Sequence, residues 1–271
     1  MFYGKARLIH QRKLVDGIFE MILDLPEIAQ TAVPGQFVDL YTEDPSLLLP
    51  RPISICDTDP EKGTVRLIYA VVGKGTDHFS RLADGSMIRV SGPLGNGYPL
   101  EEADSPFVTE IYVVGGGLGV PPMLFLAKEL YKRYPDKPIR IFNGFRSTPW
   151  IEADFEPYGE VFSASDDGAS GFMGNVIDAM EYRQVMAKDM DHEGVLYSCG
   201  PVPMLKALQN WQTRYEMHSF FSLEARMGCG YGACAGCPVR LRVPGADGDG
   251  ERLASVCKDG PVFNGEEVIF A

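Results

Sequence analysis

Four of the chain's six cysteines crowd into its last fifth, as Cys229-x4-Cys234-x2-Cys237, with Cys257 nineteen intervening residues later. Four thiolates at this spacing constrain the surrounding chain to wrap a shared centre, and x4 then x2 with a remote fourth cysteine is the plant-type arrangement for a [2Fe-2S] cluster. Gly228, Gly230, Gly232 and Gly236 interleave the ligands, which lets a loop take the backbone angles needed to aim its amides at sulfur. A structural zinc site is the alternative. Zinc ribbons usually offer two close cysteine pairs, however, and here only Cys234 and Cys237 form one. The 37 acidic residues outnumber the 25 basic ones, for a net charge of −12, so an electrostatic footprint for nucleic acid or anionic lipid is missing. No apolar run approaches the ~20 residues of a spanning helix, and Met1 to Val15 lacks the layout of a secretion signal. We therefore expect a cytoplasmic protein without a membrane partner, in which clustered thiols serve a metal or redox site rather than disulfides.

The chain reads as three regions. From residue 1 to 99, short β-rich runs such as 35–41, 64–72 and 86–90 are separated by turn residues, with no long amphipathic helix between them; this predicts an antiparallel barrel or sandwich. The turn-dense 91–99 stretch reads as a boundary. From 100 to 214, apolar strands at 110–114, 139–144, 159–163 and 194–198 alternate with helical segments near 121–134, 174–182 and 202–211. That alternation predicts a doubly wound parallel sheet. From 215 to 271 the chain is rich in glycine and cysteine and forms the expected cluster subdomain, with 245–250 as a hairpin tip.

Two further motifs carry chemistry. Gly115-Gly116-Gly117-Leu118-Gly119-Val120-Pro121-Pro122 follows an apolar strand; glycines there let the backbone approach a pyrophosphate, and the following helix turns its positive end toward the anion. The full G-x-G-x-x-G fingerprint is absent because Val120 replaces the third glycine, and a plain strand-to-helix turn is the alternative. Earlier, Arg51-Pro52-Ile53-Ser54 is followed by Gly73-Lys74-Gly75-Thr76. An arginine with hydroxyl and glycine amides can hold a diphosphate, and Ile68, Tyr69 and Ala70 can flank a flavin ring. A solvated arginine and an ordinary turn would read the same way. Asp166-Asp167 follows a strand with no arginine after it until Arg183, a pattern that favours a ribose hydroxyl over a 2′-phosphate. His10, His78, His192 and His218 form no ligand spacing, and no hydrolase motif is present.

Taken in order, these features resemble the ferredoxin-reductase-like flavoproteins. With the R-P-I-S, G-K-G-T and G-P-L-G-N-G stretches, the G-G-G-x-G-x-P-P loop, D-D-G, Y-x-C-G-P and the four cysteines, the whole chain resembles the electron-transfer subunits of NAD-dependent class 1B dihydroorotate dehydrogenases. The resemblance implies FAD on Arg51, Pro52, Ile53, Ser54, Ile68, Tyr69, Ala70, Gly75 and Thr76. The residue reading adds NAD at Gly115, Gly116, Gly117 and Gly119 with Asp167 near its ribose, and Cys199 stands where related reductases place a residue near the nicotinamide. The resemblance implies a [2Fe-2S] cluster on Cys229, Cys234, Cys237 and Cys257. It also implies an FMN-containing catalytic subunit as partner, in a heterotetramer of two of each, serving pyrimidine biosynthesis. The small subunits of NAD(P)H:ferredoxin and sulfide oxidoreductases share this architecture. A zinc-stabilised interaction module is the non-enzymatic alternative.

Overall fold

The computed structural model describes residues 1–187, 193–243 and 250–270. His192 and the 245–250 turn, apart from Gly250, lie outside them. Over the described residues the chain divides into two compact units. The first comprises Met1–Gly97, Ala225–Pro238 and Ser255–Pro261; the second comprises Tyr98–Glu224, Val239–Ala254 and Val262–Ala271. The residues expected to form a cluster subdomain, 215–271, are thus shared out: all four cluster cysteines belong with the barrel unit.

In the first unit, β1 (Phe2–Val15), β2 (Ile18–Asp24), β3 (Phe37–Tyr41), β4 (Arg51–Asp59), β5 (Thr64–Ala70) and β6 (Met87–Leu94) close a barrel in the order β1-β2-β5-β4-β3-β6. Two-residue alternation sends Leu8, Met21, Leu23, Val38, Leu40, Val65 and Leu67 inside, all fully buried. Two short helices interrupt the strands: α1 (Pro26–Thr31), opened by a proline whose missing N–H costs nothing there, and α2 (Lys74–Ser80). The R-P-I-S stretch is the start of a nine-residue strand. One sequence expectation changes: the expected boundary at 91–99 begins as strand, since Ser91 pairs with both Tyr3 and Asp39 and Gly92 pairs with Phe2. Pairing on both sides overrides the local turn signal of Gly92-Pro93.

In the second unit, β7 (Glu110–Gly116), β8 (Ile139–Phe145), β9 (Glu160–Ser165), β10 (Phe172–Met173), β11 (Gly194–Cys199) and β12 (His218–Ser222) build a parallel sheet. The strand order is β10-β9-β8-β7-β11-β12, extended at one edge by an antiparallel strand from the C-terminal segment. β7 is buried along its whole length, as a central strand covered on both faces requires. α3 (Val120–Arg133), α4 (Val176–Ala187) and α5 (Val202–Arg214) supply the crossovers. Beyond α5, β13 (Pro238–Val243) and β14 (Gly250–Ser255) pair as a two-stranded sheet, and β15 (Val262–Asn264) is the antiparallel edge strand beside β12. Among the described residues no helix is long and apolar enough to cross a membrane.

Candidate redox site

The cluster loop, residues 228–237, has almost no regular structure, so its sulfurs are placed by individual contacts. The Cys237 and Cys257 Sγ atoms lie 3.3 Å apart and are buried. Cys229 interacts through its thiol with Cys234, and Cys234 is exposed. The four thiols therefore fall into two pairs, the donor set that two irons sharing bridging sulfides need. Among the described residues no three His, Cys, Asp or Glu side chains gather about one point in the manner of a single metal ion. Burial pushes the Cys229 thiol up, but the N–H groups of Tyr231, Cys234 and Ala233 and the Cys234 side chain outweigh it and bring it down to about 6. Burial, reinforced by the neighbouring Cys237, holds Cys257 up at about 12.

Asp39, which no sequence motif singles out, lies under this loop. It is fully buried on β3, and neither carboxyl oxygen has a hydrogen-bond partner among the described residues. Gly230 passes so close, at a φ of +77°, that a Cβ there would overlap the Asp39 carboxyl. Burial, and then the Cys229 charge, push Asp39 up to about 7. Through β3, Asp39 is also the register partner of Pro52 in the R-P-I-S stretch, so the residue beneath the cluster loop and that stretch lie on neighbouring strands of one unit.

The two stretches expected to hold a flavin come together. The Arg51 guanidinium reaches the Leu49 carbonyl and lies over Gly75, where any Cβ would collide with it. Gly75 leaves room for that approach at the first turn of α2, giving a cation beside the first-turn amides of a helix, a cradle suited to a diphosphate. Thr76 acts locally, since its hydroxyl accepts from the N–H of Val72 (3.0 Å) and Gly73 (3.2 Å) and donates to the Gly73 carbonyl (3.1 Å). Pro52, Ile53 and Ser54 are half-buried along β4. On β5 the alternation separates the trio. The Tyr69 ring is buried against Phe19 and its hydroxyl donates to Gln11, whereas Ile68 and Ala70 turn to the other face.

In the second unit, β7 and β11 are neighbours whose crossovers leave in opposite directions along the sheet, and ligands of open α/β sheets bind at the strand ends of such a switch point. There Gly115 pairs with Cys199. A Cβ on Gly115 would press on Val120, one on Gly116 on Met204, and one on Gly119 would overlap the Cys199 carbonyl. Gly117, at a φ of +54°, has nothing within 4 Å of its would-be Cβ. Close packing draws the chain back and leaves the loop's turn open toward a ligand, with the 14-residue α3 and the 13-residue α5 both starting there. Burial raises the Cys199 thiol to about 12 against a hydrogen bond with Ser222. This leaves it neutral, able to line a pocket but not to act as a thiolate.

Asp167 is exposed just past β9. The Ser147 hydroxyl and the Ala169 N–H (3.0 Å) hold its carboxyl below the usual range. Because Phe145 pairs with Ser165 across β8 and β9, exposed Arg146 follows at the same sheet end as Asp166. Reading along the chain missed this arginine because register, not sequence distance, brings it beside the acidic pair.

Comparison with known proteins agrees with this geometry. Residues 224–269 match the family model described as the iron-sulfur cluster binding domain of dihydroorotate dehydrogenase B. The chain is 39% identical over 270 residues to the dihydroorotate dehydrogenase B (NAD(+)) electron transfer subunit of Geobacillus thermodenitrificans, covering 98% of this chain and 99% of the relative. It is 38% identical over 270 residues to the subunit of the same name from Shouchella clausii, covering 98% of each chain. Among solved structures, an NADH-dependent reduced ferredoxin-NADP oxidoreductase studied for flavin-based electron bifurcation superposes with a TM-score of 0.79 at 27% identity, over 97% of this chain and 89% of that one. Identity that high across nearly the full length of both chains, with the paired thiols in the matched segment, shows that the chain belongs to the family of dihydroorotate dehydrogenase B (NAD(+)) electron transfer subunits.

Proposed function

We propose that the chain carries electrons between the FMN of a separate dihydroorotate dehydrogenase catalytic subunit and NAD, by way of a [2Fe-2S] cluster and FAD, in an assembly of two subunits of each kind. The observation that carries this reading is the seating of the two thiol pairs in the same compact unit as the Arg51 and Gly75 cradle. Bound there, flavin exchanges two electrons with nicotinamide and single electrons with the cluster, the conversion a hydride carrier and a one-electron centre require between them. The chain's own residues bind and place. Arg51 grips the FAD diphosphate, with the first-turn amides of α2 beside it, while Ile68 and Ala70 offer the face of β5 turned away from the barrel interior. Gly115 to Gly119 and the start of α3 receive the NAD pyrophosphate, and Cys199 lines that pocket as a neutral thiol. Cys229, Cys234, Cys237 and Cys257 hold the cluster, and the loop amides direct N–H groups at its ligands.

No general acid or base is needed for this traffic. Anaerobically purified chain should contain about two iron atoms and two acid-labile sulfides, with flavin absorbance beneath the cluster's; zinc without labile sulfide would overturn the proposal. The likeness to the ferredoxin-linked oxidoreductase favours a second reading, in which the electron partner is a ferredoxin. Ferredoxin reduction by NADH at full efficiency without a catalytic subunit would select it.

A further inference from the structure

Gln11, which no motif singles out, joins separate parts of the barrel unit. It is half-buried on β1. Its side-chain nitrogen donates to the carbonyls of Phe79 (3.0 Å) and Leu82 (3.2 Å), and its side-chain oxygen accepts from the Tyr69 hydroxyl at 2.9 Å. Two carbonyl partners fix which end of the amide carries nitrogen, so the phenol must donate. The Gln11 backbone N–H donates to the Asp84 carboxylate at 3.0 Å. Tyr69 is 2% exposed and its ring stacks on Phe19, so it offers its hydroxyl from a fixed place. Phe79 lies in the last turn of α2 and Leu82 just beyond it, where the last carbonyls of a helix need partners from outside the helical ladder.

We propose that Gln11 is the positioning residue of the FAD diphosphate cradle, acting through α2 without touching the cofactor. This rests on the FAD reading given above. The seven residues of α2 are too few for a helix to hold its own shape and place. Its far end is pinned by Gln11 and by buried Phe79, and its near end carries Gly75 against the Arg51 guanidinium. That approach has no slack, because not even a Cβ fits between the two, and a binding constellation tolerates only about 0.5 Å of misplacement. Releasing the far end lets Gly75 and the amides beside it drift out of line with Arg51. The same contacts give Tyr69 a part in flavin binding despite its burial in the barrel: its hydroxyl holds Gln11, Gln11 holds α2, and α2 meets the diphosphate.

The full chain with its flavin, purified anaerobically, provides the test: FAD release after dilution is followed by flavin fluorescence, and the bound diphosphate by phosphorus NMR. Gln11→Met keeps the length of the side chain and removes its hydrogen bonds to Tyr69, Phe79 and Leu82. It should weaken FAD retention about tenfold, the worth of one net hydrogen bond, and shift the phosphorus resonances. Tyr69→Phe, which keeps the stacked ring and serves if Gln11→Met fails to fold, should move both readouts in the same direction by less. In an Arg51→Ala background Gln11→Met should cost little more, because the cation that α2 must meet is gone. A residue that merely stabilised the barrel would leave the phosphorus resonances in place and add its loss in full to that of Arg51→Ala. Either result would overturn the inference while leaving the cradle intact. FAD retention unchanged by Arg51→Ala would overturn the FAD reading along with it.

Discussion

Replacing Asp39 by asparagine tests whether a carboxyl is stranded beneath the cluster loop. Asp39 is fully buried, has no hydrogen-bond partner among the described residues, and has its ionisation raised from the ordinary 3.8 to about 7 by burial, with the Cys229 charge adding to it. A group whose folded-state value lies above its unfolded one binds its proton more tightly in the native chain. Its contribution to stability is therefore complete below the unfolded value and is lost as pH rises through the folded one. At 1.36 kcal/mol per unit, a rise of about three units corresponds to about 4 kcal/mol lost between about pH 4 and pH 8. Asparagine is neutral and has nearly the same shape, so Asp39→Asn removes the titration and leaves the packing. The stability of the variant relative to wild type should climb across that window by up to about 4 kcal/mol, roughly the scale on which whole domains are marginal. Anaerobic urea unfolding at matched ionic strength, followed by far-UV circular dichroism from pH 4.5 to 8, reads the difference directly. A difference that stays flat with pH would mean that the carboxyl has a partner or reaches water, and the reasoning would be wrong.

Three further outcomes follow from the same geometry. Arg51→Ala and Gly75→Ala should each weaken FAD retention, the second because its methyl displaces the guanidinium; flavin content after gel filtration reads both, and unchanged content in both variants would remove the cradle from the flavin site. Gly119→Ala drives a methyl into the Cys199 carbonyl, which should cost about 1–3 kcal/mol as an overpacked site and raise the KM for NADH. A variant that melts and turns over like wild type would refute the close approach. NADH should reduce the flavin with higher kcat/KM than NADPH, because the exposed Asp166 and Asp167 carboxylates outnumber Arg146 at that sheet end and repel a 2′-phosphate, and Asp167→Ala, which leaves Arg146 against one carboxylate, should narrow the ratio; an unaltered ratio would free Asp167 from that role.

The second unit was the more legible in sequence, because strands such as Ile139–Phe145 and helices such as Val120–Arg133 differ in hydrophobic period and alternate along the chain. The cluster ligands were legible for a different reason: thiol spacing encodes coordination without reference to the rest of the fold. Long-range pairing was not. Gly92-Pro93 has the composition of a turn, yet Ser91 and Gly92 are held as strand by partners more than 50 residues away. Nor does composition reveal that Ala225–Pro238 and Ser255–Pro261 return to the barrel; that return depends on contacts such as the Asn96 side-chain amide donating to the Lys258 and Asp259 carbonyls. Asp39 reads in sequence as one polar residue in an apolar strand. Only the fold places Gly230 against it.

On the proposed function, these 271 residues carry electrons but do not themselves oxidise dihydroorotate. Reconstitution provides the test: the purified chain is assayed for dihydroorotate-dependent NAD reduction alone and after addition of the dihydroorotate dehydrogenase catalytic subunit. The chain alone should oxidise NADH with artificial acceptors but not dihydroorotate, and the associated pair should form NADH in a dihydroorotate-dependent reaction. Dihydroorotate oxidation by the chain alone, or an associated pair that leaves NAD unreduced, would contradict that function.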